Sequence, residues 1–173
     1  MFKITKAITA GLILAALPMI AMAQGKIAVL SVAEAIINTD YAQQRIKAMR
    51  ESPDYMKEKK EFDDLKADGQ AMLEKFKRDK DVMSAEQQAE LNKKVQSKRE
   101  DLEHVARKLQ EREKEMQQRI MMELAPKARA IVEELIKTEG IGLLLDQQAA
   151  MHVDSSYSIT PKVTDKLNQA EQK

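Results

Sequence analysis

Residues 84–138 read SAEQQAELNKKVQSKREDLEHVARKLQEREKEMQQRIMMELAPKARAIVEELIKT, and their pattern determines the architecture of the chain. Apolar residues recur at steps that suit one face of a helix, and charged residues fill most positions between them. These apolar residues are Leu91, Val95, Leu102, Val105, Leu109, Met116, Ile120, Leu124, Ile131 and Leu135. Ser84 and Gln87 have the spacing of a capping box, which marks the start of a helix. We therefore predict one long helix from Ala85 to Thr138.

A second apolar seam precedes this helix, within residues 54–82. It runs through Phe62, Leu65, Gly69, Met72 and Phe76 at alternating steps of three and four. The turn between the two seams is so short that the helices must fold back on each other as an antiparallel hairpin. At about 1.5 Å per residue the first helix is ~43 Å long and the second ~80 Å. We therefore expect the second helix to outrun the first and to pack against the strand region.

The hairpin carries several interruptions. Pro126 lies inside the long helical pattern and should kink it, and Ser52-Pro53 should end a helix predicted around Ala42–Arg50. Polar or small residues occupy seam positions where a coiled coil requires apolar ones: Gly69, Asp79, Lys98 and Arg112. Gly in a helix interior costs about 1 kcal/mol relative to Ala. The arm should therefore bend.

Short apolar runs flank the hairpin. We predict strands at Lys26–Val32, at Ile141–Leu145 and at Ala149–Asp154, helical turns at Ala33–Ile37, and a last helix capped by Thr160. Strands this short do not form a stable sheet alone, and two of them are apolar at consecutive positions, so both of their faces need cover. We therefore expect a mostly α fold with a small β body, in which copies of the chain associate through their strands. The copy number does not follow from this argument.

The first 23 residues have the pattern of a secretory signal peptide. Lys3 and Lys6 precede an apolar run, and Ala21-Met22-Ala23 is a small-x-small cleavage site. An uncleaved membrane anchor is disfavoured because the run is short and contains Pro18. We predict an exported protein with an oligomerisation body at 24–52 and 138–173 and a helical hairpin at 53–137.

Composition excludes several kinds of chemistry. The chain has no Cys, hence no disulfide, thiolate nucleophile or Cys-ligated metal, and its 29 basic residues nearly balance its 28 acidic ones. Export and this balance disfavour nucleic acid as a partner. No phosphate-binding glycine loop is present, and His104 and His152 are not expected to share a metal. We predict no enzymatic activity, no catalytic residues, no metal and no cofactor.

Apolar side chains also lie outside the seams or near the tip of the hairpin. Met is flexible and suits surfaces that accept partners of different shape. The candidates for contact with a partner are Met56, Met72, Leu73, Phe76, Met83, Met121 and Met122. Padding of the hairpin ends and the core is the alternative role for these Met residues.

The order of these features resembles the Skp (OmpH) family of periplasmic chaperones. The resemblance rests on the export signal, the strand KIAVLSV, the charged hairpin, the stretch from Gly140 to Asp146 and the terminal pattern at Ile159, Thr160, Val163, Leu167 and Asn168. It implies a periplasmic homotrimer whose strands combine into a small β-barrel. It also implies that three helical arms enclose unfolded outer-membrane β-barrel proteins without ATP. The barrel positions would be Ile27, Val29, Leu30, Ile141, Leu143, Leu144, Leu145, Met151 and Val153.

Charge at the hairpin tip is only modestly positive. Between Glu74 and Arg99 the basic residues are Lys75, Lys77, Arg78, Lys80, Lys93, Lys94, Lys98 and Arg99, against five acidic ones. This excess can steer acidic chains toward the tip, although salt screens exposed charges beyond about 8 Å. We infer no lipopolysaccharide site and at most peripheral membrane contact. The alternative function is a periplasmic coiled-coil spacer or adaptor, which predicts rigid, uninterrupted helices.

Overall fold

The computed structural model describes residues 25–171, so the predicted signal peptide lies outside the described residues. The predicted fold class is confirmed: long helices dominate, and a two-stranded sheet forms a small β body. The elements are β1 (Lys26–Leu30), α1 (Val32–Ile37), α2 (Asp40–Arg50), α3 (Pro53–Asp79), α4 (Ala85–Glu139), β2 (Ile141–Asp146) and α5 (Thr160–Glu171). Short 3-10 turns lie at Lys80–Val82, Gln147–Ala149 and Ser155–Tyr157.

Helices α3 and α4 form the predicted antiparallel hairpin. The pairs Glu58–Arg112 and Asp68–Lys98 advance in opposite directions along the two helices. The predicted capping box is present, because the Ser84 hydroxyl accepts from the Gln87 N–H while the Gln87 side chain accepts from the Ser84 N–H. No residue of α3 is buried, so the hairpin is a thin two-helix arm.

The two prolines affect these helices differently. Pro53 is the first residue of α3 and Ser52 caps that helix, so the chain breaks between α2 and α3 where the sequence predicts. Pro126 interrupts nothing: α4 runs through it as one helix of 55 residues. A proline lacks the N–H that would bond to the carbonyl four residues earlier. In α4, Pro126 lies on the exposed surface of the helix.

The sheet pairs β1 with β2 in parallel. Ile27 lies opposite Leu143 and Val29 opposite Leu145, and the register shifts at the preceding pair. Gly25 and Gly142 approach closely at that shift: a Cβ added to Gly142 would lie 2.7 Å from the Gly25 Cα. Glycine is required there because the backbones leave no room for a side chain.

The core lies between the sheet and four helices. It includes Leu30 of β1, Ile36 of α1, Leu167 of α5 and a row on the C-terminal half of α4 formed by Ile120, Leu124, Ala128 and Leu135. The long helix therefore outruns α3 and packs against the strand region, as its length predicts. Gly140 ends α4 in the left-handed conformation, with φ of 65°.

Two sequence predictions are wrong. Ala149–Asp154, predicted as a third strand, forms no strand; the chain makes 3-10 turns around it and touches β1 through a single bridge between Val29 and Ser158. Thr160 begins α5, but its hydroxyl does not cap that helix. It accepts from the Ser31 N–H at 3.0 Å and so links the last helix to the end of β1.

Candidate functional site

One face of the sheet is apolar and only partly covered in the subunit. Ile27, Leu143 and Leu145 are 51%, 48% and 36% exposed and stand on the side opposite the helices. Alternation along the strands explains this, because the residues between them point into the core. Three large aliphatic side chains on one small face form an exposed apolar patch of the kind found at interaction sites.

The nine predicted barrel positions divide between the two faces. Leu30 and Ile141 are buried in the subunit core, and Leu144 packs against it. The remaining positions lie on or beside the partly covered face: Ile27, Val29, Leu143, Leu145, Met151 and Val153. Val29 is itself buried, beneath the segment that follows β2, and this segment and the sheet line an open cavity of about 310 Å³.

The edges of the sheet are also unequal. The outer edge of β1 is partly covered, since its Val29 carbonyl accepts from the Ile159 N–H at 2.9 Å. Within residues 25–171 no strand pairs with the outer edge of β2. An open strand edge next to an apolar face is a site for adding a strand from another chain.

The predicted partner-contact residues fall in three environments along the arm and the adjoining part of α4. Met56, Leu73 and Met122 are exposed. Met72, Phe76 and Met83 are half-buried, the first two in the hairpin seam. Met121 packs against the body core, so it offers less surface to a partner. The exposed members therefore provide an apolar surface that the hairpin does not use for its own packing.

Polar contacts hold the arm together near its base. Arg112 donates to Glu58 through Nε, 2.6 Å from Oε2, and through Nη2, 3.0 Å from Oε1. Hydrogen bonding to Arg112 keeps the pKa of the Glu58 carboxyl below its ordinary value. Tyr55 donates to Glu113 at 2.9 Å, and burial together with this bond raises the pKa of the Tyr55 hydroxyl.

Half of the eight predicted basic tip residues are already paired. Arg78 pairs with Asp79, Lys94 with Glu90, Lys98 with Asp68 and Arg99 with Glu103. In the described part of the chain no ion pair is present for Lys75, Lys77, Lys80 or Lys93. The free positive charge of the tip is therefore smaller than its residue count indicates.

A cavity of about 400 Å³ opens in the hairpin at Gly69. Its walls include Leu65 and Leu73 of α3 and Val95 and Leu102 of α4. A Cβ placed on Gly69 would meet nothing within 4 Å, because no side chain fills this position of the seam. The sequence indicates the gap through the glycine in the seam, but not its depth or its lining.

The described residues contain no cluster of metal-ligating side chains. Among residues 25–171 no group of three or more His, Asp and Glu side chains is placed to hold a metal ion. No helix in that range is long and apolar enough to cross a bilayer. His104 lies exposed on α4 and His152 lies exposed in the segment after β2, so the two do not share an element.

A long helical hairpin on a small body with a two-stranded sheet places this chain in the class of mostly α-helical proteins. The chain belongs to the Skp/OmpH family, since the family model described as outer membrane protein (OmpH-like) matches residues 26–167. A Skp-like protein of Pseudomonas aeruginosa is 26% identical over 149 residues, which are 86% of this chain and 88% of that protein. A solved structure of an OmpH-like protein from Caulobacter crescentus CB15 aligns with 84% of this chain and 85% of its own, at 16% identity and a TM-score of 0.43. Family membership supports a chaperone role, and the family is not one of enzymes.

Proposed function

We propose that the protein is an ATP-independent periplasmic chaperone that encloses unfolded outer-membrane β-barrel proteins between its helical arms and keeps them from aggregating. The observation that carries this proposal is the exposed apolar surface of the helical arm. Its helix α3 buries no residue, and Met56 and Leu73 on α3 stand exposed, as does Met122 farther along α4, where that helix packs against the body. Such a surface can make many weak contacts with chains of different sequence.

The proposed assembly is a homotrimer. The uncovered side chains of Ile27, Leu143 and Leu145, together with the open edge of β2, support association of copies through their strands. Pooled strands would cover the apolar face, and the resulting barrel would leave each arm free. Several arms around one space raise the local concentration of weak contacts, so that avidity replaces tight binding.

Client capture provides the test of this proposal. The chain has no Trp, so the emission of Trp residues in an unfolded β-barrel protein diluted from urea reports binding without background. We expect several unrelated unfolded β-barrel proteins to bind and to stay soluble in the presence of the protein. Failure to bind any of them, together with tight binding to one folded partner, would contradict the proposal and favour an adaptor.

The contribution of the exposed arm residues is tested by a triple variant, Met56→Ser, Leu73→Ser and Met122→Ser. Removing three exposed apolar contacts should weaken client binding about tenfold or more, because each contact buries apolar surface on capture. The matched control replaces exposed polar residues of the helices, Gln44→Ser, Gln117→Ser and Gln118→Ser, and should bind like the parent. Equal losses in the two variants would show that the apolar arm surface does not bind the client.

A further inference from the structure

The cavity at Gly69 has an apolar interior and a basic rim. The side chains that line it include Lys66, Lys98 and Arg99, and none of its lining residues is acidic. Lys98 reaches out to Asp68 at 3.2 Å and Arg99 to Glu103 at 3.0 Å, both outside the lining. Lys66 has no ion pair among the described residues. Three cations therefore surround one apolar opening, and only two of them have partners.

The size of the cavity restricts what can enter it. About 400 Å³ lies near the lower end of the range for small-molecule sites, so the cavity can admit a large side chain but not a folded surface. An aromatic ring is a suitable occupant, because it buries a large apolar area at a small cost in side-chain entropy. Lys66, the rim cation without an ion pair among the described residues, favours an acidic residue beside that ring.

We propose that the Gly69 cavity is a binding site for one aromatic side chain of an unfolded protein segment, with acidic neighbours in that segment contacting the rim. This inference rests on the proposed chaperone function and gives it a defined point of contact on the arm. The site would hold the segment by a single residue. The rest of the client remains unfolded.

Two substitutions of Gly69 can separate the effect of obstructing the cavity from the effect of removing a flexible glycine. Its backbone φ is not in the left-handed region, and a Cβ there is unobstructed, so larger residues fit without strain. Gly69→Leu places a branched aliphatic side chain inside the cavity, which obstructs it, and strengthens the helix. Gly69→Ala strengthens the helix by a similar mechanism and leaves most of the cavity empty. Only the first variant should abolish binding if the cavity is the site.

The experiment follows the methyl resonances of Leu65, Leu73, Val95 and Leu102 by NMR while a short peptide with the sequence Asp-Trp-Asp at its centre is added. Ring-current shifts at these methyls are expected in the parent and in Gly69→Ala, and their loss is expected in Gly69→Leu, with affinity reduced about tenfold or more. A peptide with Lys-Trp-Lys at its centre should bind more weakly, because the rim repels it.

Three outcomes would overturn the proposal: no shifts in the parent at millimolar peptide, equal shifts in Gly69→Leu, or shifts caused by an uncharged alkyl detergent but not by the acidic peptide. The last would assign the cavity to a lipid chain. Capture of full-length unfolded β-barrel proteins is measured on the same samples. If the parent captures them while the cavity methyls do not respond, the chaperone proposal stands and the cavity proposal fails.

Discussion

The Glu58 carboxylate links pH to the stability of the arm. Its two bonds from Arg112 favour the charged form, so the pKa of the folded state lies below the ordinary value of 4.5. A group whose pKa is lowered by folding stabilises the protein fully above its unfolded pKa. That contribution is lost as the pH falls through the lower pKa of the folded state.

We therefore predict that Glu58→Gln lowers the midpoint of thermal unfolding at neutral pH and that this difference from the parent vanishes in acid. Circular dichroism at 222 nm across a pH series measures both. Glu61→Gln, an exposed change on the same helix, is the control and should show little difference at any pH. A gap between parent and Glu58→Gln that persists unchanged in acid would contradict the role of the carboxylate.

Two glycines should respond to alanine in opposite directions. In Gly142→Ala the new Cβ meets the Gly25 Cα at 2.7 Å, so the start of the sheet must shift and stability should fall by about 1–3 kcal/mol. In Gly69→Ala nothing lies within 4 Å, and stability should rise by about 1 kcal/mol. Urea unfolding at fixed protein concentration measures the two changes. Equal effects would show that the close approach of Gly25 and Gly142 is not a constraint.

At the scale of elements, α4 contains a proline that takes no part in its apolar seam. Pro126 lies inside the helix, exposed, and leaves the Met122 carbonyl without its usual N–H donor. Pro126→Ala should raise the free energy of unfolding, by up to about 3 kcal/mol. Urea denaturation measures the gain, and Arg129→Lys, also on the exposed surface of α4, is the control for a neutral change. No gain would mean that the helix bends at Pro126 to compensate.

The periodic elements could be predicted from the sequence because their signals are local. The seams through Phe62 and Leu91, the capping box at Ser84 and the break at Pro53 all depend on residues within a turn or two of one another. Both strands that the structure contains were expected within a residue or two. Local pattern therefore accounts for the hairpin and for most of the body.

The errors arose where distant residues decide the conformation. Residues 149–154 have strand composition, but the residues that follow them take the outer edge of β1, where the Val29 carbonyl accepts from the Ile159 N–H, and 149–154 themselves pair with neither strand. The Thr160 hydroxyl meets a backbone N–H 129 positions away, which outweighs its usual local role as a cap. The Gly69 cavity likewise depends on which α4 residues lie opposite, which the sequence of α3 does not state.

For the whole molecule, assembly should depend on the partly covered sheet face. Leu143 is half exposed in the subunit, so an aspartate there stays hydrated in a single copy and becomes buried only on association. We predict that Leu143→Asp keeps its helical circular dichroism but has the mass of a single subunit by light scattering. Val82→Asp, at the exposed hairpin tip, is the control and should keep the mass of the parent.

Val29→Asp should behave differently from Leu143→Asp. Val29 is buried within the subunit, so an unpaired carboxylate there should unfold the body rather than release intact copies. Circular dichroism and light scattering on the same sample separate the two outcomes. If Leu143→Asp retains the parent's mass, the sheet face is not the contact between copies.

The pairing of β1 with β2 also fixes when the sheet can form during synthesis. Strand β1 emerges first during synthesis, yet its neighbour β2 and the Thr160 anchor for Ser31 come only after the whole of α4. Contacts this distant in sequence form slowly, since the ends of a long loop must first be brought together. The hairpin can therefore fold before the sheet that is proposed to join the copies. The nascent chain is most prone to aggregation in that interval, while its strands are still unpaired.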